Sequence, residues 1–208
     1  MARTHAPLRA LVLPVAAMSA VVLASNILVQ FPFEPLGLAD YLTWGAFSYP
    51  VAFLVTDLTN RHFGAPDARR VVYAGFVVAV ALSAWLATPR IAAASGLAFL
   101  VAQLIDVEIF DRLRRHIWWM PPFLSSLVSS ALDTVIFFTL AFSCAHAVDG
   151  MLALLGLGGP CGDGLPWQRW ALFDYLVKLG LAAIFILPYG ALMRWLGPVS
   201  IPASDAAS

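Results

Sequence analysis

The sequence predicts an all-α fold: a polytopic membrane helix bundle of six transmembrane helices, forming a single integral membrane domain over residues 1–208. Three observations predict it. Of the 208 residues, 61% are hydrophobic and only 12% are charged, against about 25% charged in a soluble domain. Six stretches each supply the roughly 20 mostly apolar residues that a helix needs to cross a bilayer. The longest stretch between them, His146 to Arg169, is too short to bury a core of its own.

The first span covers about Leu8 to Gln30. Its apolar run exceeds the roughly 7–15 residues of a signal-peptide core, and no clear small-x-small cleavage site follows it. The second, about Tyr41 to Asn60, lies in the stretch around which the chain is organised, TWGAFSYPVAFLVTDLTNRHFGAP from Thr43 to Pro66. That stretch starts as an aromatic membrane helix, has Pro50 in its middle and Asp57 in its inner third, and ends on Asn60, Arg61 and Gly64 before Arg69 and Arg70. The third span (about Val71 to Thr88) and the fourth (about Ile91 to Phe110) are separated only by Pro89 and Arg90, which predicts a tight turn. The fifth covers about Phe123 to Ala145 and the sixth about Trp170 to Trp195, with a kink expected at Pro188.

Basic residues set the orientation. With a cytoplasmic N-terminus, Arg3, Arg9, Arg61, Arg69, Arg70, Arg112, Arg114, Arg115 and Arg194 are inside, nine against two (Arg90 and Arg169) outside. Both termini are then expected on the cytoplasmic side of a cell inner membrane. Cys144 and Cys161 are read as unpaired thiols, with a disulfide as the alternative if the outer side is oxidising.

Polar side chains at membrane depth are the candidate functional residues. A carboxylate at the centre of a membrane helix costs roughly 2.5–3.5 kcal/mol on insertion scales, so each needs a partner or a ligand. Asn26 and Gln30, four apart, share one face of the first span; Pro50, Phe53 and Asp57 share a face of the second; Gln103 and Asp106 share a face of the fourth. Glu108 points elsewhere and is expected to lie at the interface near Arg112. The fifth span has the stripe Ser126, Ser129, Ser130, Asp133 and Thr134. In the sixth, Asp174 precedes Lys178, the sole lysine, by four residues, the favourable order for an ion pair along a helix. Hydroxyls and amides in membrane bundles often serve only as interhelical hydrogen bonds, and the Asp174–Lys178 pair can be simply self-neutralising. Taken together, four carboxylates, one lysine and several amides pointing inward favour a polar cavity.

Several chemistries are excluded. The four histidines fall in loops or at interfaces, so neither an intramembrane H-E-x-x-H metal site nor a Ser–His hydrolase is expected. No G-x-x-x-x-G-K-[ST] loop is present, and two cysteines fall short of the roughly four ligands of a structural zinc site. Zero net charge gives no reason to expect a nucleic-acid partner. No enzyme activity and no cofactor are expected; transport or binding of a small polar molecule remains.

SNILVQ, then WGAFSYPVAFLVTDLTNRHFGAPDARR, then AQLIDVEIFDRLRR followed by WW, and finally DYLVKL with LPYG resemble the bacterial queuosine-precursor transporter family, over nearly the whole chain from about Leu11 to Leu196. The resemblance implies six helices arranged as in the substrate-binding subunits of energy-coupling-factor transporters. It implies uptake of 7-cyano-7-deazaguanine, and of its 7-aminomethyl relative, without a dedicated ATPase or other obligate protein partner. The runner-up is a vitamin-type binding subunit that does need an energising ATPase module. By motif match the substrate-binding residues are Asn26, Gln30, Asp57, Asn60, Gln103, Asp106, Asp133, Asp174 and Lys178. Asp57 or Asp133 is expected to read the base edge, with Asp106 in reserve, and Trp44, Phe47, Tyr49, Phe53 and Phe173 are candidate stacking walls. The Gly-rich stretch around Cys161 matches no family motif.

The arginine distribution makes a direct prediction. Reporter fusions after Arg70 and after Arg115 read cytoplasmic, and a fusion near Gly158 reads external; a cytoplasmic Gly158 fusion contradicts the six-span topology.

Overall fold

A computed structural model of the chain describes residues 6–157, 161–162 and 164–196. Arg3 and Gly158 lie outside the described residues. Helices α1 (Leu8–Leu28), α4 (Ala65–Leu86), α5 (Pro89–Leu113), α6 (Met120–Phe142) and α8 (Trp167–Leu196) match five of the expected spans to within a few residues at most ends. Among the described residues, only these five are long and apolar enough to cross a membrane.

The expected second span is instead a broken element, α2 (Gly45–Ser48) followed by α3 (Val51–Phe63). Pro50 explains the break: it has no N–H to donate, and its ring crowds the carbonyl four residues back. The chain keeps helical dihedrals through Tyr49 and Pro50 but switches to i→i+3 bonds, from Ala52 N to Tyr49 O and from Phe53 N to Pro50 O. At about 1.5 Å per residue, the 13 residues of α3 reach about 20 Å, short of a hydrocarbon core of about 30 Å. Thr56, Asp57, Thr59 and Asn60 are all buried on α3, a composition that needs protein rather than lipid around it.

The packing supplies that surround. The long helices form an arc in which α1 packs on α4, α4 on α5, α5 on α6 and α6 on α8; α2 touches α1 and α8, and α3 touches α1, α4, α5, α6 and α8. The short broken element is therefore the centre of the bundle. Small residues bring α5 and α6 together: Ala94, Ala98 and Ala102 are buried on one, and Ser125 and Ser129 on the other. Met18, Val22, Ala52, Val71, Val72, Phe99 and Val107 form the apolar core of the α1–α3–α4–α5 side.

Two glycines are required by this geometry. Gly64 joins α3 to α4 at φ 97° and ψ 167°, a conformation essentially restricted to glycine. Gly75 on α4 lets α1 approach, because a Cβ there meets Met18 Cγ at 2.5 Å.

The two ends of the bundle differ. One end is rich in arginine: Arg69 and Arg112 both bind Glu108, at 2.8 and 2.9 Å, which places Glu108 at the interface as expected. At the same end Arg114 donates to the Asn60 carbonyl and side-chain oxygens, and Arg61 donates to the Arg114 carbonyl. The other end is poor in arginine and covered by loops. Residues 31–44 fold back as a loop, with Phe33 N bonded to Leu42 O and the Phe33 ring on Trp44 and Phe47. Within the long stretch between the last two spans lies a nine-residue helix, α7 (His146–Leu154). Arg90, buried at the start of α5, ties this region together by bonds to Leu140 O, Ser143 O and Asp149.

The cysteines correct the sequence expectation. Cys144 and Cys161 form a disulfide, with Cα atoms 5.2 Å apart. Gly162 N donates to Phe142 O beside it, so the chain returning toward α8 is laid against the end of α6. The two cysteines are 17 positions apart in the chain, and their spacing says nothing about this return.

Candidate functional site

A cavity of about 630 Å³ opens among α1, α2, α4, α5, α6 and α8 toward the arginine-poor end, within the roughly 300–1,000 Å³ usual for small-molecule sites. Loop residues 39–43 and the α4–α5 turn at 86–88 line its mouth. Its aromatic wall comprises Tyr41, Tyr49, Phe99, Phe137, Phe138, Phe142 and Trp170. Of the aromatic candidates named from the sequence, Tyr49 lies in this wall. Trp44 and Phe47 pack on Phe33, Phe173 stacks on Tyr41, and Phe53 lies deeper in the bundle.

Deep in the cavity is a charge cluster. Lys178 Nζ on α8 donates to Asp174 Oδ2 at 2.5 Å, to Asp133 Oδ2 on α6 at 2.7 Å and to Thr134 Oγ1 at 3.2 Å. Helical spacing alone brings Asp174 and Lys178 together, so this pair is the one the sequence predicts. Asp133 joins from another helix, which makes the cluster a triad with a formal charge of −1 rather than a neutral pair. The Tyr49 hydroxyl donates to Asp133 Oδ1 at 3.0 Å, and its ring lies under Lys178 Nζ at 5.4 Å. Thr134 donates to Asp174 Oδ2 at 2.7 Å. Both Asp133 oxygens are thus occupied, whereas Asp174 Oδ1 has no donor among the described residues. Asp174 is also the more exposed carboxylate, with 15% of its side-chain surface accessible against 5% for Asp133.

Lys178 also roofs a second, much smaller cleft of about 10 Å³, the size of a single water, lined by Phe53, Asp57, Ser126, Ser130 and Tyr189 among others. The triad therefore lies between the large cavity and this cleft.

The remaining predicted site residues fall into four places. Asn26 lines the cavity, with Nδ2 donating to Val22 O and Oδ1 accepting from Ser83. Gln30 is exposed at the end of α1 and bonds Asn26 O. Asp57, Gln103 and Asp106 are buried together below the triad: Thr56 donates to Gln103 Oε1, Ser125 to Asp57 and Ser129 to Asp106. Asn60 lies at the arginine-rich end, where Val107 O and Arg114 engage its side chain.

Trp170 and Tyr189 were not singled out as site residues by the sequence. The Trp170 indole N–H is buried beside the cavity, and the Tyr189 hydroxyl is buried in the cleft, each without a hydrogen-bond partner among the described residues. An aromatic near the start of a span reads as an interface anchor. The LPYG run signalled only a kink.

With this geometry in place, the chain can be set beside known proteins. Residues 43–88 and 81–192 match the family model described as "Putative vitamin uptake transporter". The chain belongs to this family. It is 37% identical over 198 residues to the queuosine precursor transporter of Escherichia coli (strain K12), covering 85% of this chain and 83% of the relative. It is 34% identical over 206 residues to the probable queuosine precursor transporter of Haemophilus influenzae, covering 84% and 82%. A third relative, the probable queuosine precursor transporter of Bacillus subtilis (strain 168), is 26% identical over 193 residues, covering 79% and 76%. No solved structure matches the chain. Membership places the chain among multi-pass membrane transporters and not among enzymes.

The triad makes the stabilities of its variants unequal. Lys178→Met leaves two neighbouring carboxylates buried without their cation and costs about 3–5 kcal/mol, whereas Asp174→Asn leaves an intact Lys178–Asp133 pair and costs clearly less. Thermal unfolding of the detergent-purified protein ranks Lys178→Met well below Asp174→Asn. Adding Asp174→Asn to Lys178→Met does not restore the wild-type midpoint, because Asp133 stays uncompensated.

Proposed function

We propose that the chain imports a queuosine precursor, 7-cyano-7-deazaguanine or its 7-aminomethyl relative, across the cell inner membrane for use in tRNA modification. The observation that carries this reading is the aromatic-walled cavity containing a carboxylate with one free oxygen, in a chain whose relatives are named queuosine precursor transporters. The arginine-rich end is the cytoplasmic one, with both termini on that side. Two features support this: the bias of basic residues, and a disulfide at the opposite end, since disulfides persist in oxidising compartments. The cavity then faces the outside, and the structure corresponds to an outward-facing state.

The chemistry of the base suits the site. A deazaguanine presents N1–H and a 2-amino group side by side. Asp174 Oδ1 has two lone pairs for them, while Lys178 and Thr134 hold Oδ2 in place. Asp133 and Tyr49 position the lysine and complete the floor. The 6-oxo group needs a donor, and the second Asn26 amide hydrogen and the Trp170 N–H are two at the cavity. The ring stacks on the aromatic wall, worth about 1–3 kcal/mol per base. Asp57, Asp106 and Gln103 lie beneath the floor and take no part in reading the base in this state. An energising ATPase module is not part of this proposal; a stoichiometric ATPase recovered with the protein from native membranes favours the vitamin-type binding subunit instead.

Binding measurements on a matched ligand pair test the assignment. Wild type prefers 7-cyano-7-deazaguanine over its analogue lacking the 2-amino group. Asp174→Asn loses charge and acceptor capacity, weakens binding of the base by about 1.5–3 kcal/mol, roughly ten- to more than a hundredfold, and shrinks the preference. A folded Asp174→Asn protein that keeps the full preference removes Asp174 as the reader.

A further inference from the structure

Beneath the floor of the cavity lies a second acidic site that base recognition does not use. Asp57 on α3 and Asp106 on α5 are fully buried, and their carboxyls lie within hydrogen-bonding reach of each other. Ser125 and Ser129 on α6 donate to them, at 3.4 Å to Asp57 and 2.9 Å to Asp106. Asp106 Oδ2 has no donor among the described residues, and neither the Gln103 amide nitrogen nor the Tyr189 hydroxyl has a partner there. Tyr189 lines the same cleft as Asp57, so a second buried polar group without a partner borders the pair.

We propose that the Asp57–Asp106 pair is a proton-binding site that couples proton entry to import of the precursor. This rests on the transport reading above. The balance of charge and hydrogen bonds points to a proton. Two ionised carboxylates side by side, away from water, repel each other, and neither can donate to the other. A single proton turns one carboxyl into an O–H donor, supplies the missing bond and leaves the pair with one negative charge. No cation is bonded to either carboxyl among the described contacts. The charged and titratable groups around the pair are Lys178 and Tyr189 of α8 in the cleft, Asp133 of α6 above it, and Arg61 of α3 and Arg114 after α5 toward the arginine-rich end. Lys178 is committed to the triad, and Arg114 to Asn60 and Asp111. Ionisable residues inside membrane bundles are the usual carriers of proton relays.

The fold connects this site to the cavity. Ser129 and Asp133 are four apart on one face of α6; Ser129 holds Asp106 and Asp133 holds Lys178. Lys178 borders both the cavity and the cleft containing Asp57. Displacing α6 therefore changes the base site and the carboxyl pair together. In the proposed cycle, the proton bound by the pair from the outer side is released to the cytoplasm once per base, with no bond made or broken in the base itself.

The test uses the full chain in proteoliposomes together with infrared spectroscopy. An inward gradient of about one pH unit supports about tenfold accumulation per coupled proton. Wild type accumulates 7-cyano-7-deazaguanine about tenfold under that gradient, whereas Asp106→Asn exchanges internal for external base but does not accumulate it. Infrared spectra of substrate-free wild type near neutral pH show the carbonyl stretch of a buried carboxylic acid, which is lost in the double variant Asp57→Asn/Asp106→Asn. This second readout holds whether or not the base is the true substrate, so failure of the transport reading and failure of the proton site are separable. Absence of the carboxylic-acid band in wild type, accumulation by Asp106→Asn equal to wild type, or accumulation driven by sodium instead of pH overturns the proposal.

Discussion

The structure depends on how one buried lysine is neutralised. Lys178 is the only lysine in the chain and has 4% of its side chain exposed. Burying an ammonium costs several kcal/mol even after relaxation, unless partners surround it. Asp133, Asp174 and Thr134 do so, and Tyr49 adds its ring below and its hydroxyl to Asp133. The lysine thereby fixes α6 against α8 and, through Tyr49, fixes the junction of α2 and α3 against both. Because two carboxylates meet one cation, the cluster retains a negative charge and an oxygen with no donor among the described residues. A structural pair has no need of that surplus, whereas a floor that binds a donor-rich base does.

The rest of the bundle is layered around this floor. Above it lie the cavity and the loop-covered end held together by the Cys144–Cys161 disulfide and by Arg90. Below it come a cleft the size of one water, the Asp57–Asp106 pair, and the Arg61–Asn60–Arg114 cluster that ties the end of α3 to the segment after α5. A substrate descending from the cavity meets closed packing at each of these levels. Passage therefore requires α3, α6 and α8 to rearrange, and Pro50 and Pro188 sit where two of these helices are weakened.

Much of this was legible in the sequence, for definable reasons. Five spans follow from apolar length alone. The Asp174–Lys178 pair follows from helical spacing, and Glu108 near Arg112 follows from the same rule. The second span was over-read as one helix, because hydropathy counts residues and does not register the hydrogen bond that Pro50 cannot make. Partners separated by many residues were not legible. That Asp133 reaches Lys178, Ser129 reaches Asp106 and Cys144 reaches Cys161 depends on how helices and returning loops are laid side by side, which no local spacing records. The same limit placed Asp57 and Asp133 in one list of candidate readers. Packing puts Asp133 in the cavity wall and Asp57 in the cleft beneath.

The central claim is that the base binds in the cavity above the triad, entered from the non-cytoplasmic side. Thiol accessibility tests it most directly. The native cysteines are joined as a disulfide, so a single cysteine introduced for Ser95 on the cavity wall is the one reactive thiol among the described residues. The account predicts that a membrane-impermeant maleimide labels Ser95→Cys in intact cells and that 7-cyano-7-deazaguanine protects it, while the same reagent leaves Ser126→Cys, buried at the cleft beneath the triad, unlabelled. Labelling of Ser95→Cys that the base does not slow, or labelling only from the cytoplasmic side, contradicts it.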